Sequence, residues 1–265
     1  MPLEKLIDRP CPQALSLLAE MPFPPTFSFS TAEGIIPGDV FADCKDEPGN
    51  LIIRTHAGIC YAGGAVPGEA AMTWLEETIE SSSLSGGRFT LFAANDAWDQ
   101  AIQDRFGCQL NRYRRFAFDF KGPVQGSSEI GKLPKEFELK EIDRQAILQD
   151  PEFNETYYEE YWGSSERFLE LGTGFCCTYK GQITSTCTTI FASLVSGLYE
   201  ADIATVPAFQ GKGLARHVAH AFIERCLTLG MKPGWDCSTD NEASIKLAKR
   251  LGFEKGPAYS VFTIK

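Results

Sequence analysis

The sequence is short of the residues that assemble a metal centre: it has three histidines, and nine cysteines with no Cys-x-x-Cys pair among them. The cysteines fall at positions 11, 44, 60, 108, 176, 177, 187, 226 and 237, an odd number without a framework spacing. Cys176-Cys177 sits in an apolar, strand-like run, where adjacent side chains point to opposite faces. Neither a zinc site nor a disulfide scaffold is expected; reduced, buried thiols of a cytoplasmic protein are. His217 and His220 stand at i and i+3 without a third ligand, so no metal is assigned. Long apolar runs are also missing: no window approaches the roughly 18 residues of a membrane span. The N-terminal "MPLEKLIDRPCPQALSLLAEM" mixes acids and prolines and does not read as a signal peptide. Positive charge is scarce, with 25 Lys and Arg against 35 Asp and Glu and a formal net charge of −10. That balance argues against nucleic-acid binding, as the lack of a long apolar run does against a membrane partner, and it is compatible with cationic small substrates as well as with plain solubility. With 43 % hydrophobic and 23 % charged residues, 265 residues bury an ordinary core, as one large domain or two of usual size. Nothing in the sequence addresses oligomeric state.

Along the chain, "DFKGPVQGSSEIGKLPKE" (119–136) is the stretch richest in Gly/Pro turn signals and polar spacers. It divides the chain into an N-terminal α/β part (1–120), a linker (121–135) and a C-terminal part (136–265). The C-terminal part reads β-α-α-β-β-β-α-β-α-β: a mixed α/β layer with a hairpin at Lys180-Gly181 and a helix break at Gly163-Ser164. In "GLARHVAHAFIERCLTLG", residues Leu214, Val218, Phe222 and Cys226 form one stripe at i, i+4, i+8 and i+12. The N-terminal part reads as two strands in "NLIIRTHAGICYAGGA", a helix in "GEAAMTWLEETIES", a strand in "RFTLFAAN", a helix from Asp96 as candidate cap, and a strand in "YRRFAFDF". No internal repeat stands out.

The chemistry concentrates in "VPAFQGKGLARHVAH" (206–220). A strand ends at Val206-Pro207 and a helix begins near Gly213. The first turn of that helix has N–H groups without intrahelical partners and the positive end of the dipole. Gly211 and Gly213 carry no side chain to hold an anion off, and Lys212 adds a cation, which together describe a phosphate or pyrophosphate site. A turn that merely permits tight strand–helix packing is the alternative. A P-loop is excluded because Gly213 follows Lys212, and a dinucleotide fingerprint because Arg216 stands where the third glycine belongs.

The pattern [Q/R]-x-x-G-x-[G/A], filled here by Gln210, Gly213 and Ala215 between strand and helix, resembles the pyrophosphate-binding motif of the GCN5-related N-acetyltransferases (GNAT). "NEASIKLAKRLGF" resembles that superfamily's Asn-containing helix ending in Gly-Phe, and the resemblance covers about residues 136–265. The blocks "WGSSERFLELGTGFCC", "YEADIATVPAFQGKGLA" and "WDCSTDNEASIKLAKRLGF" resemble its zwittermicin A resistance branch. That branch has an N-terminal extension of this size, so residues 1–120 are expected to be scaffold, substrate wall or a degenerate copy of the fold.

The resemblance implies a mixed-sheet GNAT fold in the C-terminal half and direct transfer of an acetyl group from acetyl-CoA, as co-substrate, to a small-molecule amine, an antibiotic being one candidate. Ile203, Thr205 and Val206 would pair with the pantetheine arm. Gly211, Lys212, Gly213, Leu214 and Ala215, with Gln210, would receive the pyrophosphate. Asn241 and Ser244 would add cofactor contacts, with helix capping the alternative for Asn241. Glu200 is the candidate general base and Asp202, on the same face by period two, its alternate. Ala248 stands where many relatives carry a tyrosine acid, which leaves that role unassigned, with Tyr199 and Tyr259 the nearest other tyrosines. A non-catalytic acyl-CoA-binding protein and a tandem transferase with a larger acyl donor are the competing functions. In "YYEEYW" (157–162), aromatics beside carboxylates suit an aliphatic ammonium, against an ordinary amphipathic helix with aromatics inward.

Overall fold

A computed structural model describes residues 2–122 and 131–265; residues 123–130 of the expected linker lie outside the described residues. The first half of the chain runs β1 (Glu4–Leu6), α1 (Pro12–Glu20), α2 (Thr26–Glu33), β2 (Gly38–Ala42), β3 (Asn50–Thr55), β4 (Ile59–Gly64), α3 (Glu69–Ser85), β5 (Thr90–Ala93), α4 (Asp96–Phe106) and β6 (Leu110–Phe120). The second half runs β7 (Phe137–Glu141), α5 (Arg144–Gln149), α6 (Glu155–Trp162), α7 (Ser165–Leu171), β8 (Gly174–Tyr179), β9 (Gln182–Ser193), β10 (Leu198–Thr205), α8 (Leu214–Thr228), β11 (Lys232–Ser238), α9 (Glu242–Arg250) and β12 (Phe253–Ile264). The two halves share one element order: strand, helices, a three-strand meander, helix, strand, helix, strand. The second differs by one helix, because Gly163 turns left-handed and Ser164 caps a new one, its hydroxyl accepting from the Arg167 amide at 3.1 Å.

The described residues group into two units. Unit 1 holds the chain up to Arg115 with Ser193–Ser196 and Ala258–Lys265; unit 2 holds Phe116–Ala192 and Gly197–Pro257. Each half therefore lends the end of its last strand to the other unit. In unit 1, β1 to β4 pair antiparallel in succession, β4 pairs β5 parallel, and β12 pairs β5 antiparallel with Val261 opposite Phe92. Its core joins Leu75 and Ile79 of α3 to Trp98, Ile102 and Phe106 of α4. Asp99 of α4 accepts from Arg112 of β6 and, at 2.8 Å, from the Ser260 hydroxyl of β12. The cap of α4 is Asn95, which accepts from the amides of Ala97 and Trp98, rather than the expected Asp96.

In unit 2 the strand order is β6-β11-β10-β9-β8-β7. The hairpin turns at Lys180-Gly181, and β10 runs parallel to β11 through the crossover helix α8. The stripe foreseen on α8 is the buried one: Leu214, Val218, Phe222 and Cys226 are all within 1 % of full burial. Removing such side chains from water is what holds a crossover helix on its sheet. Among the described residues no helix is long and apolar enough to cross a membrane.

Candidate active site

Strands β10 and β11 form a short fork. Their parallel ladder covers Leu198–Glu200 against Lys232–Gly234, yet β10 continues to Thr205 and β11 to Ser238. On its other side β10 stays paired to its end, the Val206 amide donating to the Thr184 carbonyl at 2.9 Å. Backbone groups alternate sides along a strand, so those of Ile203 and Thr205 face the gap. An isolated glycine in a strand, a sequence signal for close backbone approach, marks the apex. A Cβ on Gly234 would lie 2.7 Å from Leu198 Cδ2 and 3.3 Å from Glu200 Cα.

The gap leads into the glycine turn. A 3₁₀ turn, Pro207–Phe209, follows β10, and the Gln210 amide side chain donates to the Thr205 carbonyl at 3.1 Å, tying the turn to the strand. Gly211 and Gly213 have φ of +76° and +80°, and an added Cβ on either would meet nothing within 4 Å. Tight strand–helix packing is therefore not what requires them. The left-handed backbone requires them, and the space above both is open. Gly213 is the N-cap of α8 and no side chain caps that end. Leu214 is the buried anchor, and Ala215 completes the turn half-buried.

Charge at this helix end runs against the dipole. Lys212 precedes α8 and Arg216 lies in its first turn, where a cation is disfavoured. The Arg216 Nε is buried with no hydrogen-bond partner among the described residues. The next residue, His217, is held below the usual histidine range by burial, by the Arg216 charge and by His220.

The other expected cofactor residues divide. Val206 has both backbone groups engaged within the chain, its carbonyl accepting from Phe209 N at 2.8 Å. The Ile203 amide is bound by Asp202 Oδ1 at 2.9 Å. The Thr205 hydroxyl shares a 2.8 Å hydrogen bond with Ser185. Asn241 caps α9, accepting from the Ser244 amide at 3.0 Å, and the Ser244 hydroxyl accepts from Trp235 Nε1 at 2.9 Å. Beside the end of β10 a cleft of about 190 Å³ opens between Asp150–Glu152, the start of β9 and Ala204–Pro207. Asp150 shapes its wall by accepting from the amides of Glu152 and Phe153 at 2.9 Å and from Thr186 Oγ1 at 2.6 Å.

Glu200 is the last β10 residue in the ladder and so stands at the fork apex, half-buried. Asp202 shares its face and accepts from the Tyr157 hydroxyl of α6 at 2.9 Å. Most of the aromatic helix behaves as an amphipathic one. Tyr158 is fully buried, bonded to Thr188 Oγ1 at 2.9 Å, and Trp162 Nε1 donates to the Thr189 carbonyl at 3.1 Å. Tyr157 is the exception, and no local pattern distinguished it from its neighbours. Ala248 is completely buried. Tyr199 is buried on the face opposite Glu200, and Tyr259 lies in unit 1 beside Phe92.

Among the described residues unit 1 shows no such fork. Its β4–β5 ladder runs from Ile59–Thr90 to Ala62–Ala93 and is extended by the Ala94 amide on the Ala62 carbonyl at 3.1 Å. Where the unit 2 strands have parted, the Gly64 carbonyl is bound by Trp98 Nε1 at 2.9 Å and by Asn95 Nδ2 at 3.0 Å. The helix that follows opens with an acid, Glu69, in its first turn.

The family model for GNAT acetyltransferases matches residues 22–262 and so spans both units. An uncharacterized N-acetyltransferase of Bacillus subtilis (strain 168), YdfB, is 36 % identical over 238 residues, 90 % of each chain. A GCN5-related N-acetyltransferase-like protein from Streptococcus suis superposes with a TM-score of 0.73 at 24 % identity, over 97 % of this chain and 98 % of that one. A tandem GNAT protein from the clavulanic acid biosynthesis pathway gives 0.63 at 13 % identity, over 98 % of both. The latter two are likenesses of fold.

Proposed function

Since this chain belongs to the GNAT acetyltransferase family, we propose that unit 2 is an acetyl-CoA-dependent N-acetyltransferase acting on a small-molecule amine. The observation that carries this is the uncapped, unobstructed glycine turn flanked by Lys212 and Arg216 at the end of a forked strand pair. A pyrophosphate there would answer the open amides, the adverse cations and the buried Arg216 Nε together. Gly211, Lys212, Gly213, Leu214, Ala215 and Arg216 would hold it. The pantetheine arm would enter the gap against the Thr205 amide and the Ile203 carbonyl. Val206, Asn241 and Ser244, which also hold the local structure, would add contacts to the cofactor.

In the transfer, the neutral amine attacks the thioester carbonyl. The nitrogen–carbon bond forms, the carbon–sulfur bond breaks, and Glu200 takes the amine proton directly or through one water. The thiolate takes a proton from solvent, because Ala248 provides none. No covalent enzyme intermediate is involved. The resemblance to the zwittermicin A resistance branch favours an antibiotic amine as acceptor, and buried thiols suit the cytoplasm. A non-catalytic acyl-CoA binder is the second reading, favoured by the buried Ala248.

The test is a thermal-shift titration with acetyl-CoA on wild type, Gly213→Ala and Gly213→Glu, followed by thiol release on an amine panel. Both variants strain the left-handed backbone by about 1–2 kcal/mol, but only the glutamate repels a pyrophosphate. Saturable stabilisation kept in the alanine variant and lost in the glutamate variant is expected. No stabilisation of wild type would overturn the assignment, and stabilisation without turnover on any amine would favour the binder.

A further inference from the structure

The notable contact outside the expected set joins α6 to β10 across 45 residues of sequence. The Tyr157 phenol donates to Asp202 Oδ2 at 2.9 Å, while the Ile203 amide donates to Oδ1 at 2.9 Å. Both carboxylate oxygens are thus oriented, one by a side chain from another element. The Tyr157 ring is clamped in turn, with the rings of Phe153 and Tyr161 at 4.8 Å and of Tyr158 at 5.3 Å. Burial and the charge of Asp202 push the Tyr157 phenol well above its usual range, in keeping with its role as the donor to that carboxylate.

Glu200 and Asp202 are consequently unlike. Glu200 stands at the fork apex, whereas the Asp202 carboxylate is fixed in direction by donors to both of its oxygens, beside a wall of aromatic rings. An oriented carboxylate suits a cation before it loses its proton, and aromatic faces add to that attraction. Resting on the transferase reading above, we propose that Tyr157 is a positioning residue that pins Asp202 as the counter-ion for the incoming ammonium group, leaving proton removal to Glu200.

The experiment uses the full chain saturated with coenzyme A and follows further thermal stabilisation by n-butylammonium chloride, with n-butanol as the uncharged isostere at matched ionic strength. Wild type is expected to respond to the ammonium and not to the alcohol. Tyr157→Phe, which keeps the ring, should need about tenfold more ammonium, the lower end for losing a hydrogen bond to a charged group. Asp202→Asn should lose the response, and the double variant should match Asp202→Asn, because Tyr157 acts only through that carboxylate. The coenzyme A shift of each variant is the control for a folded site. A wild type that answers both probes alike, or neither, overturns the proposal. So does an unchanged response in Asp202→Asn or in Tyr157→Phe. Absence of the coenzyme A shift in wild type would instead overturn the transferase assignment.

Discussion

Replacing Arg216 by methionine should make the protein more stable and worse at binding acetyl-CoA. Methionine keeps most of the apolar stem, so packing along α8 survives. The substitution deletes a cation from the first turn of a helix, where it opposes the dipole, for a gain of about 0.3–1 kcal/mol. It also deletes a buried Nε that has no hydrogen-bond partner among the described residues, a group whose desolvation costs about 1–3 kcal/mol. Discounting the part of the guanidinium that meets water, we expect a net gain of about 1 kcal/mol, or roughly 2–4 °C in Tm for a chain of this size. A pyrophosphate would lose a hydrogen bond from a charged donor, about 1.5–3 kcal/mol, so Kd for acetyl-CoA should rise about 10- to 100-fold. Differential scanning fluorimetry of the apo variant and calorimetric titration with acetyl-CoA read the two effects separately. A variant that is less stable but binds as tightly as wild type would show Arg216 to be a structural residue, and the reasoning from its burial would fail.

Other expectations concern the rest of the molecule. Because the unit 1 ladder is closed through Ala62–Ala93, titration should give one acetyl-CoA per chain; two would mean that unit 1 opens in solution. Burial raises Cys60, Cys177 and Cys226 to about 12 and Cys176 to about 11, while Cys44 and Cys108 are exposed. An aromatic disulfide reagent at mildly alkaline pH should therefore titrate only Cys44 and Cys108 quickly, and all nine cysteines after denaturation. His217 is lowered from 6.5, so the unfolded chain takes up its proton first as pH falls. Its contribution is complete above pH 6.5 and declines below it, and His217→Gln should flatten that limb of a chemical-denaturation series.

Local signals were reliable where local physics dominates. The α8 stripe, the Lys180-Gly181 hairpin and the Gly163-Ser164 break each follow from side-chain periodicity or from a left-handed backbone position within a few residues. The element order common to both halves was visible only faintly. "NDAWDQAIQDRFG" and "NEASIKLAKRLG" both begin Asn-acid-Ala and end Arg-aromatic/Leu-Gly, one residue apart in length, which is too little to register as a repeat. The first 42 residues gave no clear pattern, in part because α2 is buried almost all round and lacks an amphipathic period.

The amino-acid sequence by itself determined the glycine turn, the helix that follows it and the family of the chain, because a left-handed φ and an apolar stripe are properties of neighbouring residues. Only the tertiary structure decided that unit 2 is forked while unit 1 is closed, that β6 and β12 end in the opposite units, and that Tyr157 rather than Tyr158 meets Asp202. Those outcomes depend on which distant strand or side chain competes for a backbone amide or a carboxylate. That competition is settled by packing across the whole sheet and leaves no trace at the spacing of a motif.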